Sequence, residues 1–157
     1  WAKGLVDNMA RSPKGGDTDQ IRAVASGECG VALTNSYYWV RVVNSDKPED
    51  KEVVSKVGFI WPNQSNYGAH MNVSGAAVAK FAPNKNNAIK FLEYLASDSA
   101  QKYFANGNNE WPTVPGVKVD NPALDALGPF KQDVTPAKTL AANTALSQQI
   151  MDRVGFK

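Results

Sequence analysis

The chain has little of what most metal and redox sites are made from: one cysteine, Cys29, and one histidine, His70. A single thiol excludes an internal disulfide and a cysteine-rich zinc site. Cys29, at the start of an apolar segment, reads as a small buried hydrophobe. His70 has no partner imidazole and reads as a loop residue. Long hydrophobic runs are also lacking. None approaches the ~20 residues of a membrane-spanning helix, and the N-terminal stretch has no signal-peptide pattern. Charge of one sign is not in excess either: 17 Lys and Arg face 15 Asp and Glu, a net +2 with no basic stripe, so nothing points to nucleic acid. No nucleophile elbow, phosphate-binding glycine loop or Ser–His–Asp context occurs. Asp17 and Asp19, two apart near a helix start, do not form a convergent acid–base pair.

What is present is an ordinary globular composition, 43% apolar and 20% charged over 157 residues, enough for one core. Trp1, Leu5, Val6 and Met9 have helical spacing without a preceding cap, which reads as the interior of a helix and favours a fragment. Asp17-Thr18-Asp19-Gln20 has the form of a capping box, with Asp17 as the cap, for a helix that ends at Gly27. Cys29 to Thr34 predicts a short buried strand, and Asn35 or Ser36 caps a helix from Tyr37 to about Val43. A helix begins around Asp46 to Asp50, and strands are expected at 57–62 and 76–81. Asn84 caps another helix, Asp98-Ser99-Ala100-Gln101 opens the next, and Tyr94 and Tyr103 take core-compatible positions. A loop runs from Pro112 to Pro122, and a helical tail covers Pro136 to Phe156. Strands alternating with helices make the class α/β.

The candidate site is Tyr37-Tyr38, at a strand-to-helix junction. Hard trivalent cations prefer oxygen anions, and a nearby cation can strip a phenol of its proton despite a free pKa of ~10. Neighbouring side chains on a regular helix diverge by ~100°, but a cap residue with extended dihedrals loosens this restriction. Arg41 lies three and four residues beyond the pair, placed to hold positive charge beneath it. The competing reading is that consecutive aromatics at a helix start pack into the core, with their hydroxyls bonded to the backbone. Tyr67 lies in the long polar stretch 63–74, and nothing in the sequence beyond that place gives it a site role.

The wording of the chain adds to this. Gly15 through Gly30, Leu33-Thr34-Asn35-Ser36-Tyr37-Tyr38, Pro62-Asn63-Gln64, His70 to Ala76, Ala88 to Leu95 and Gly107-Asn108-Asn109-Glu110-Trp111-Pro112 together resemble the bacterial ferric-iron-binding proteins of ABC importers, in their tyrosine-rich branch. The resemblance implies half of a two-lobed periplasmic-binding-protein (type II) α/β fold, the C-terminal half. Residues 1–64 would begin the C-terminal lobe, 65–113 would belong to the N-terminal lobe, and 114–157 would return to the C-terminal lobe. It also implies Fe3+ as the bound ion, Tyr37 and Tyr38 as metal ligands, and Asn35 and Arg41 as supporting or anion-holding residues. The remaining ligands would come from an N-terminal half outside this sequence. In the anion-dependent branch a synergistic carbonate or phosphate completes the site; one of its Asn residues matches Asn35. A second aligns with Asp17, whose charge would repel an anion. The implied role is transport, not catalysis: capture in the periplasm, or at a Gram-positive surface through a lipid anchor, and delivery to a membrane permease. Two other readings stay open: a binding protein for a small anion or organic solute with the tyrosines as hydrogen-bond donors, and an enzyme on the same scaffold.

Overall fold

The computed structural model describes residues 1–156. Its helices are α1 (Ala2–Asp7), α2 (Asp17–Ala25), α3 (Ser36–Val43), α4 (Pro48–Lys56), α5 (Lys85–Leu95), α6 (Asp98–Asn108), α7 (Pro122–Asp125) and α8 (Ala137–Val154). The cap of α2 differs from the expected one. Gly16 is the N-cap, and the Gly16 N–H donates to Asp19 Oδ2 at 2.8 Å. Asp17 is therefore not the capping residue. α6 likewise begins one residue earlier in cap terms: the Ser97 hydroxyl accepts from the Ala100 N–H, not an Asp98 carboxylate. α4 opens on Pro48, whose fixed φ and missing N–H suit a first helical position, with Glu49 and Asp50 favoured at the positive end of the helix dipole. α7 was not expected from the sequence. Asn121 caps it by accepting from the Leu124 N–H at 3.2 Å.

The core lies where α2, α3 and α4 meet. Ile21, Trp39, Val42 and Val53 form its centre, and Tyr38, Val57, Phe59 and Leu127 pack around it. Val40 is fully buried beside them. Asp50 is also buried, where the Arg22 guanidinium reaches its Oδ1 at 3.0 Å and joins α2 to α4. From Trp39 an aromatic ladder runs outward. Phe59 meets Trp61 edge-on at 4.8 Å, Trp61 stacks on Phe130 at 3.8 Å, and Trp111 closes on Phe130 at 5.5 Å. The Trp61 indole N–H donates to the Leu127 carbonyl at 2.9 Å, which satisfies its one polar group. α5 packs on α6, and α1 on α8.

The expected strands do not pair. Among the described residues there is a single isolated parallel bridge, Ala69 to Gln132, made by Ala69 N–H to Lys131 O and Asp133 N–H to Ala69 O, both at 2.8 Å. Val31, Leu33, Ile60 and Phe81 are at least 74% exposed. Their apolar pattern encodes burial, but a ladder needs a neighbour to take up N–H and C=O groups, and none is formed among the described residues. Tyr94 and Tyr103 are exposed rather than core, and Cys29 is half-buried. Tyr67 is 75% exposed.

Gly68 makes the bridge possible. Its φ is +93°, and a Cβ there would stand 2.6 Å from the Gln132 carbonyl carbon. Gly68→Ala should therefore cost about 1–3 kcal/mol, through strain and backbone clash together, and lower the thermal midpoint. An unchanged midpoint would contradict the bridge. The Ser45 hydroxyl, with Arg22, holds the Asp50 carboxyl below its ordinary range. That contribution is present above the unfolded carboxylate pKa of ~3.9 and is lost as pH falls through the folded value. Asp50→Asn should flatten the fall of stability below about pH 4, measured by denaturant unfolding across acid pH.

Candidate functional site

α3 is an amphipathic helix whose Trp39, Val40 and Val42 point into the core. With ~100° between successive residues, that choice leaves Tyr37 and Arg41 on the outer side. Tyr38 sits at the margin, half-buried against the core. The Asn35 N-cap has extended dihedrals, φ −72° and ψ 140°, so the chain enters the helix from a new direction. Tyr37 and Tyr38 both lie inside α3, past that cap, so the loosened boundary does not account for their approach; their rings nevertheless lie 4.5 Å apart, tilted by 40°. The Arg41 guanidinium carbon is 5.1 Å from the Tyr38 ring centroid, a cation–π arrangement. Arg41 thus faces the ring of Tyr38.

Asn35 is engaged on both ends of its amide. Its Nδ2 donates to Asp17 Oδ2 at 2.9 Å, and its Oδ1 accepts from Asn72 Nδ2 at 3.2 Å. Its side chain makes no cap bond to α3. The residues that sequence reasoning missed are Asn72 and Glu110. Asn72 lies in a polar stretch with no periodic signal, and only the fold brings it to Asn35. Glu110 is one of the negative charges, with Asp17, that act on Tyr37. His70 is exposed and away from any His, Cys, Asp or Glu cluster; no such group of three or more occurs among the described residues.

Burial, and then the neighbouring Tyr38, push the Tyr37 phenol above its ordinary value, with Asp17 and Glu110 adding to the rise. An open cleft of about 340 Å³ is lined by Arg22, Arg41, Lys47 and Asp50 among others, and neither tyrosine lines it.

The family model for bacterial extracellular solute-binding proteins matches residues 1–142. The chain belongs to that family. Iron uptake protein A2 of Synechocystis is 51% identical over the whole chain, which covers 46% of that relative. A Trichodesmium protein solved with iron and citrate ligands is 52% identical with a TM-score of 0.91, and a ferric binding protein from Campylobacter jejuni 41% identical with 0.92. All of this chain, and 49% of each of theirs, is superposed. The chain spans about half the length of the relatives it matches. Its fold is accordingly half of the two-lobed α/β architecture, as expected.

In metal-free protein, the phenolate absorbance of wild type minus Tyr37→Phe should give a titration step centred above ~10, the value for an unperturbed phenol. Since the folded state favours the neutral phenol, its stabilising contribution is intact below that pH and fades as pH rises through the raised value. A step centred at or below ~10 would contradict the geometry.

Proposed function

We propose that this segment supplies the tyrosine side of a ferric-ion trap. The adjacent rings of Tyr37 and Tyr38, 4.5 Å apart at the mouth of α3, carry the reading. Both would bind as phenolates, each losing its proton to the incoming charge. Arg41 over the Tyr38 ring would balance the negative charge, and Asn35 would support the helix entrance. The other ligands would come from an N-terminal half of the same protein, and the whole protein would hand iron to a membrane ABC permease. Residues 1–64 and 114–157 would form one lobe and 65–113 would join the other. The separate packing of α2–α4 and of α5 on α6 supports that division.

The setting would be the periplasm, or the outer face of a Gram-positive cell through a lipid anchor. No described helix is long and apolar enough to cross a membrane. The role would be binding and delivery, with no reaction catalysed. Closure would be driven by tighter binding to the closed state. A synergistic carbonate or phosphate would have to enter a site where Asp17 already occupies Asn35.

The test uses the full-length protein. Ferric ion should produce a visible phenolate-to-iron band, and affinity should rise with pH because the ligands must be deprotonated. Changes to groups around a metal typically cost about 10–100-fold, so Tyr37→Phe and Tyr38→Phe should each cost no less in competition with citrate. If both variants keep band and affinity, the reading is wrong. The Arg41 guanidinium beside the Tyr38 ring favours a second reading, a carrier of a small anion with the phenols donating hydrogen bonds. Thermal shifts with phosphate or sulfate but not ferric citrate would select it.

A further inference from the structure

We infer that Asp17 is the positioning residue of the tyrosine pair, acting through Asn35, with Asn72 extending the same control from the next segment of chain. This rests on the reading of Tyr37 and Tyr38 as ligands. Asp17 is the first residue of α2, where a carboxylate is ordinarily accounted for by the helix dipole. Its side chain is turned elsewhere. One oxygen, Oδ2, accepts three hydrogen bonds from the approach to α3: Asn35 N–H at 2.7 Å, Asn35 Nδ2 at 2.9 Å and Thr34 Oγ1 at 3.1 Å. Asp19 meanwhile bonds the N-terminal N–H of α2, so Asp17 is free of that duty.

The consequence is geometric. A slip of one residue in where α3 begins would turn every later side chain by ~100°. Asp17 fixes both the backbone and the side chain of the N-cap, and so fixes the direction in which the two phenols project. Its charge matters as well as its reach. A carboxylate accepts and cannot donate, so it selects the amide orientation with Nδ2 toward Asp17 and Oδ1 outward. Only that orientation lets Asn72 donate to Asn35 Oδ1. A flipped amide would set oxygen against carboxylate and nitrogen against the Asn72 donor. Bonds to an ionised acceptor are also about twice as strong as neutral ones.

The experiment compares Asp17→Ala, Asp17→Asn, Asn72→Ala and Asp19→Ala in the full-length protein. The last is a control that injures α2 without touching the site. Asp17→Ala should speed amide hydrogen exchange of Asn35 in metal-free protein by about tenfold or more, and weaken ferric binding by a similar factor. It should also shift the phenolate-to-iron band. Asp19→Ala should lower the thermal midpoint without either effect. Asp17→Asn, which keeps an acceptor and drops the charge, should recover part of the loss, and Asn72→Ala should reproduce part of it. If Asp17→Ala does not fold, those two variants decide. Wild-type exchange, affinity and band in the Asp17 variants, or equal losses in Asp19→Ala, would overturn the proposal. Absence of the band in wild-type protein would instead remove the ligand reading, and the exchange of Asn35 would still decide what Asp17 does.

Discussion

The packing of α3 against α2 and α4, which also touch each other, is the constraint on which the candidate site depends. Trp39, Val40 and Val42 are drawn inward by burial, and the pitch of the helix then dictates where every other α3 residue goes. Tyr38 is caught at the margin, leaning on the core, and Tyr37 leans on Tyr38. Arg41 comes round onto the Tyr38 ring one turn later. The aromatic pair is therefore held from below by packing, from one side by a cation, and at its entrance by the Asp17–Asn35 contact. Each support comes from a different physical source.

The second organising feature is the junction where three stretches of chain meet. Trp61, Trp111 and Phe130 come from distant parts of the sequence, and their rings close on one another within 3.8–5.7 Å. The Ala69–Gln132 bridge lies close by in sequence, and Gly68 allows the backbones to approach. Asn121, buried, adds a further tie by donating to the Ala105 carbonyl at 3.1 Å. These contacts connect α5 and α6 to the rest of the chain without a sheet.

Local signals in the sequence were strong wherever the physics is local. Asn35 and Asn84 take the expected N-cap positions of α3 and α5, although neither side chain makes a capping bond, and α2 ends before Gly27, whose φ is positive. Errors arose where neighbouring residues offer equivalent chemistry. Asp17 and Asp98 both suit a cap, yet Gly16 and Ser97 occupy those positions. Asp17 was misread for a specific reason: its best partners lie 17 and 18 residues away, beyond any local rule. The strands illustrate a different limit. Alternation and apolarity in 29–34, 57–62 and 76–81 register a tendency to be covered, but pairing is a property of two segments at once.

By itself the sequence determined the longer helices, the α/β class and the placing of two phenols in the first turn of a helix, because helix periodicity and residue chemistry act over a few residues. Its resemblance to a family pointed to the same two phenols. Only the tertiary structure decided that the rings lie side by side, that Arg41 faces Tyr38, and that Asp17 and Asn72 meet at Asn35. The reason is that side-chain direction depends on which helix face is buried, and long-range hydrogen bonds depend on how distant segments are brought together.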